Sequence, residues 1–107
     1  MTIPEIIQQQ LLHSNPTTVL SWGIASWYEA SDTMLAIRVH ACYLDGFVCI
    51  DLDESQDLYD ISFCLNKDVK SMIIHPVYPY KTMKGIFCDQ LVELIDNRIE
   101  KIPKYKY

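Results

Sequence analysis

The feature that most restricts how this chain can fold is the dipeptide Asp45-Gly46, set between two runs in which apolar and polar residues alternate. Asp-Gly suits a type I′ turn, whose two central residues both need φ > 0 and whose twist matches that of a β-hairpin. The reading predicts a hairpin from Met34 to Asp53 with Asp45 and Gly46 as its loop. Leu44 then pairs with Phe47, Tyr43 with Val48, Cys42 with Cys49, Ala41 with Ile50, His40 with Asp51, Val39 with Leu52 and Arg38 with Asp53. The face holding Ile37, Val39, Ala41, Val48, Ile50 and Leu52 is apolar and is assigned to the core. The opposite face keeps the cysteines, His40, Arg38 and the two aspartates. Side chains alternate with period two, so a one-residue slip would exchange the faces.

The next run, Leu58 to Leu65, also alternates, with Tyr59, Ile61 and Phe63 on one face. Keeping that face inward calls for a four-residue connection, Glu54-Ser55-Gln56-Asp57. Leu52 then meets Tyr59, Ile50 meets Ile61, and Asp51 lies between His40 and Asp60.

Upstream, Thr2-Ile3-Pro4-Glu5 carries the signals of a helix start: a cap, a capping-box glutamate and a first-turn proline. Ile3, Ile7 and Leu11 form its stripe, and Asn15-Pro16 ends it. Val19 to Tyr28 is rich in strand formers and is predicted as a strand, with Gly23 at a bulge or a close backbone approach and Leu20, Trp22 and Ile24 inward. Glu29 to Asp32 is a turn. Downstream, Lys70 to Val77 is a candidate fifth strand and Tyr78-Pro79-Tyr80-Lys81 a loop or extended segment. A helix from Phe87 or Cys88 to Ile102 follows, striped by Leu91, Ile95, Ile99 and Ile102. Residues 103–107 are expected to fray. The predicted architecture is one α+β domain over residues 1–107: an antiparallel four- to five-stranded meander sheet with an N-terminal and a C-terminal helix packed on one face.

Composition narrows the function classes. The 107 residues include 9 Lys and Arg against 14 Asp and Glu, for a net charge of −5. That balance argues against general affinity for nucleic-acid phosphates. No apolar run is long enough for a membrane helix, and the first residues lack the pattern of a signal peptide, so a cytoplasmic location is expected, with no membrane partner. The four cysteines, Cys42, Cys49, Cys64 and Cys88, are then read as thiols rather than a disulfide framework.

Five constellations carry chemistry. Cys42 opposite Cys49, with Cys64 on the same outer face, could form a disulfide or bind a metal with His40; the plainer reading is reduced, small apolar thiols. His40, Asp51 and Asp60 form a row of metal-ligand types on the outer sheet face, whose plainer reading is a solvated, charge-balanced surface. A cysteine with His13, His40 or His75 could act as a nucleophile, but nothing local marks one pair out, and no catalytic residue or cofactor is assigned. Lysines and tyrosines alternate near the end, in Tyr78-Pro79-Tyr80-Lys81 and Lys104-Tyr105-Lys106-Tyr107, a pattern that can stack on bases. Leu44, Phe47, Cys49, Leu58 and Cys64 would make the outer face apolar enough for an interface with a protein partner or a second copy.

Short pieces of the chain, Ser14-Asn15-Pro16, Ser21-Trp22-Gly23, Gly46-Phe47-Val48 and Asp57-Leu58-Tyr59-Asp60, are joined by Phe87, Asp89, Leu91-Val92, Ile95-Asp96 and Ile99-Glu100 in the closing helix. In these the chain resembles a group of small, uncharacterised proteins of Bacteroides-type genomes and their mobile elements. The resemblance implies a mobile-element or phage setting and no reaction. The favoured expectation is a non-catalytic protein-interaction module. Its alternatives are a small metal-binding protein or enzyme using the His/Asp row, and a nucleic-acid accessory protein using the Lys/Tyr tail.

Overall fold

The computed structural model describes residues 1–41, 44–65 and 81–99. Helix α1 spans Ile3–Ser14. The Thr2 hydroxyl oxygen accepts from Glu5 N at 3.3 Å, and Pro4 sits in the first turn, where it breaks no intrahelical bond. Ile7 and Leu11 are buried, with Ile3 and Leu12 packed beside them. Asn15 ends α1 as expected, but it also begins a second helix, α2, at Pro16–Leu20. Asn15 Oδ1 accepts from Thr18 N at 3.1 Å, and proline occupies the start of the new helix. The β-branched run Thr17-Thr18-Val19 favours strand by propensity, and local capping overrides it.

The predicted strand from Val19 therefore begins later, as β1, Ile24–Glu29. Of its expected inward set, Trp22 is buried and Ile24 packs partly on the core, while Leu20 ends α2 and is 65% exposed. The glycine reading holds. Gly23 has φ +67°, a Cβ there would lie 2.5 Å from the His40 carbonyl oxygen, and its own carbonyl accepts from His40 N at 3.0 Å. A bulge follows between Ile24 and Ser26.

Strands β1, β2 (Met34–His40), β3 (Asp45–Asp53), β4 (Leu58–Leu65) and β5 (Lys81–Ile86) make one antiparallel sheet in chain order. The β3–β4 register matches the expectation residue for residue: Leu52 opposes Tyr59, Ile50 opposes Ile61 and Asp51 opposes Asp60. Glu54–Asp57 connects them, with Ser55 N and Oγ donating to Asp53 Oδ1 at 3.1 and 2.6 Å and Asp57 at φ 56°.

The β2–β3 hairpin departs from the prediction. Asp45 and Gly46 are the first residues of β3, opposite His40 and Val39, and Gly46 lacks the positive φ that a type I′ loop requires. The connection is 41–44 instead, closed by Ala41 N donating to Leu44 O at 2.8 Å. Val48 opposes Ile37 and Ile50 opposes Leu35, and Ala36, not Cys42, stands opposite Cys49. The displacement along the partner strand is even, so both faces survive it: Val39 and Ile50 remain buried. One reason lies upstream. Gly23 O accepts from His40 N, and His40 is the last residue of β2, so the β1 and β3 ladders end at the same place.

β5 falls where an extended segment was expected to end, and the candidate strand Lys70–Val77 lies outside the described residues. The signal of β5 is hidden by a bulge between Tyr59 and Ile61 on the β4–β5 ladder. Gly85 has φ +70°, so Met83 and Ile86, three apart, both pack on the core where period two would separate them. The closing helix starts with a 3₁₀ turn, Cys88–Gln90, and continues as α3, Leu91–Ile99. Gln90 Oε1 accepts from Phe87 N at 3.2 Å. Leu91, Val92, Ile95 and Ile99 are buried, as the stripe predicts, and Ile102 and the tail lie outside the described residues.

Helices and sheet share one core. Ile7, Leu11, Val19 and Trp22 meet Leu35, Ile37, Val39, Val48, Ile50, Ile61 and Phe63, with α3 closing the layer. The helices thus cover one face, as expected. Trp22 Nε1 donates to Asp96 Oδ1 at 3.0 Å, which satisfies the buried indole and pins α3 to the segment before β1. A bond of this kind to a charged acceptor contributes about 1.5–3 kcal/mol.

The two glycines give a paired test. Gly23→Ala meets both positive φ and a backbone clash, whereas a Cβ at Gly85 finds only Leu58 Cδ1 at 3.9 Å. Gly85→Ala should cost about 1–2 kcal/mol, the left-handed penalty, and Gly23→Ala clearly more. Urea denaturation of both variants checks the order.

Candidate functional site

The metal-ligand row is not assembled. His40 opposes Asp45, and Asp51 opposes Met34 on one side and Asp60 on the other. Six residues of strand separate Asp45 from Asp51, roughly 20 Å at ~3.4 Å per residue. The two aspartates that do meet have separate hydrogen-bond donors: Thr33 Oγ1 donates to Asp51 Oδ1 at 2.5 Å, and Gly85 N to Asp60 Oδ1 at 3.2 Å. Among the described residues no three His, Cys, Asp or Glu side chains gather as metal ligands.

A different charged group forms at the hairpin end. Arg38 Nη2 lies 2.7 Å from Asp45 Oδ1, and His40 Nδ1 lies 3.1 Å from the same oxygen. Arg38 Nη1 donates to Val39 O and Gly46 O at 2.6 and 3.1 Å, and the guanidinium carbon stands 5.6 Å from the Phe47 ring centroid. Arg38 is thus held by backbone and ring and serves as a fixed donor, while the Asp45 side chain is 67% exposed. The hydrogen bond from Arg38 holds the Asp45 carboxyl below its ordinary range, with the charges of Arg38 and His40 adding to it. The group is a surface clamp for the hairpin.

The outer face is not the open apolar surface expected. Phe47, Cys49 and Cys64 are buried with Ala36 in a second cluster, and Met34 packs beside them. Leu44 belongs to the helix-side core, and Leu58 is half-buried. Tyr28 leans on Phe47, ring centroids 6.1 Å apart at 55°. The Cys49 thiol is pushed far up by a hydrogen bond with Cys64 and by burial, so it stays protonated and is a poor nucleophile. Cys42, His75 and the Lys/Tyr segments at 78–80 and 104–107 lie outside the described residues.

Two surface features were missed in the sequence. One is a groove of about 430 Å³ between α1 and the 3₁₀ turn, lined by Ile6, Gln10, His13, Cys88 and Asp89 among others. It brings one cysteine and one histidine of the nucleophile expectation to the same depression. Gln10, in its lining, accepts through Oε1 from the Tyr59 hydroxyl at 2.7 Å, and burial raises the Tyr59 pKa. The groove joins residues far apart in the chain, so no local motif announces it.

The other is the β1 edge. Ala30 N donates to Met34 O, which sets the closely bonded pairs of this ladder at Tyr28–Ala36 and Ser26–Arg38. Trp27 and Glu29 therefore point their N–H and C=O groups away from β2, on the side where the described sheet ends. Ala25, Tyr28 and Glu29 are exposed, and β1 contains neither Lys nor Pro, the usual protection of an edge. That absence was readable in the sequence once β1 was known to be terminal.

Comparison of the chain with protein-family models, with curated proteins and with solved structures gives no match. No helix among the described residues is long and apolar enough to cross a membrane.

Two outcomes follow from the site. The lowered Asp45 pKa means the clamp stabilises fully above the ordinary aspartate value and is lost as pH falls through the lowered one. In an NMR titration Asp45 should titrate below the ordinary aspartate value and return toward it in Arg38→Met. Under native conditions a thiol reagent should modify exposed Cys88 at least about tenfold faster than buried Cys49, with Cys49 reacting on unfolding; peptide mapping reads both sites.

Proposed function

We propose that this chain is a non-catalytic protein-interaction module that takes up an extended segment by strand addition at the β1 edge. The observation that carries this is the outward backbone of Trp27 and Glu29 on a terminal strand with exposed Ala25 and Tyr28. An added strand gains main-chain hydrogen bonds there, and the alternating side chains of β1 select what fits. On the helix side it meets Trp27, which packs partly on the core, and Glu29, whose carboxylate accepts from Thr2 Oγ1 at 2.6 Å. On the outer side it meets Tyr28. The mobile-element or phage setting rests on the sequence resemblance.

Amide hydrogen exchange on the dilute protein tests the edge. Trp27 and Glu29 should exchange at least about tenfold faster than Tyr28, whose N–H is bonded within the sheet. Protection of Trp27 and Glu29 equal to that of Tyr28 would show the edge already covered and remove this reading. Peptides selected on the protein from a random library should lose binding to Glu29→Pro, which deletes one outward N–H.

A further inference from the structure

We propose that the buried pair Cys49 and Cys64 is a two-coordinate binding site for a soft monovalent metal ion, copper(I). The two cysteines stand on adjacent strands, β3 and β4. Cys49 opposes Ser62 and Cys64 opposes Phe47, so both thiols fall on the outer face as diagonal neighbours. Both are buried, in one small cluster with Ala36 and Phe47. Within it the two thiols hydrogen-bond to each other.

Spacing separates the two bridges that such a pair could form. Diagonal neighbours on paired strands lie about 7–8 Å apart, beyond the roughly 4.4–6.8 Å that a disulfide spans between Cα atoms. A metal–thiolate bond of about 2.3 Å lets an ion between two sulfurs hold them about 4.6 Å apart, against about 2.05 Å in a disulfide. The longer bridge suits the diagonal.

The surroundings choose the ion. Among the described residues no three His, Cys, Asp or Glu side chains gather, so zinc does not find its four ligands there. Two thiolates in an apolar setting select a soft ion, copper(I), over the hard cations. Met34, a third soft sulfur, packs against the same cluster. Copper(I) on two thiolates leaves one negative charge. Arg38 opposes Phe47, which opposes Cys64, so the guanidinium held over the Phe47 ring stands in the same cross-strand row and offsets that charge. Binding breaks two S–H bonds, forms two S–Cu bonds and releases two protons to water, and no electron is transferred.

Anaerobic titration of the full chain with copper(I) against a colorimetric chelator tests the site. Cys49→Ser and Cys64→Ser should each lower the affinity more than about 100-fold, beyond what loss of a merely supporting residue costs. Substitution of exposed Cys88 by serine should leave it unchanged. NMR of the unsubstituted chain keeps the test valid if a buried serine impairs folding. Copper(I) is diamagnetic, and the largest amide shifts on loading should fall at Cys49 and Cys64. No retention of copper(I) against the chelator overturns the site. So does equal retention by Cys49→Ser or Cys64→Ser, and so do shifts centred on Cys88 and His13.

Discussion

Burial of Leu35, Ile37 and Val39 beside Val48 and Ile50, beneath α1 and α3, is the interaction on which the rest of the structure depends. Each of these side chains is essentially removed from water, and a buried Val, Leu or Ile contributes about 1.5–3 kcal/mol. The helices are too short to persist without this surface, and α2 is a single turn. In return, the sheet must present the same face throughout. Any slip of one strand against another is therefore restricted to an even number of residues. An odd slip would carry Arg38 and Asp51 under the helices and turn Val39 and Ile50 to water.

Within that restriction, backbone geometry chooses the register. Gly23 comes so close to the His40 carbonyl that no Cβ fits between them, and it accepts from His40 N at the last residue of β2. Asp45 can then stand opposite His40 and take the Arg38 guanidinium, which is already bound to two carbonyl oxygens and seated over Phe47. A polar side chain on the outer face is thereby turned into part of the strand-end structure. The same displacement moves Asp51 far from His40 and dissolves the row that metal chemistry would need.

The two ends of the sheet differ in how they finish. β5 carries Lys84 and a bulge at Gly85, whose N–H is taken by Asp60. Both are ordinary ways of making an edge unattractive to other strands. β1 has only its early bulge, followed by Trp27, Tyr28 and a single acid. The contrast directs attention to β1 as the working edge, and it explains why the function proposed here lives in the backbone more than in any reactive side chain. The thiol that the sheet buries at Cys49 is held protonated, which suits packing and not attack.

In β1 the inward set expected from the sequence failed, since Leu20 lies exposed in α2 and Trp27 holds the helix side. Local chemistry in the sequence was sufficient for the helix-facing side of β2, β3 and β4, for the β3–β4 connection and its register, for the Thr2 cap, and for the stripe of α3. These follow from periodicity and from groups a few residues apart, which act whatever the rest of the chain does. The hairpin loop, the second helix, the bulged β5 and the burial of Phe47, Cys49 and Cys64 were decided by the tertiary structure. Asp-Gly permits a tight turn but does not impose one, and a local turn preference yields to the pairing of a whole strand with Asp45 opposite His40. Which edge of the sheet would be left open is likewise absent from any local pattern, since it depends on which strand comes last in the assembled order.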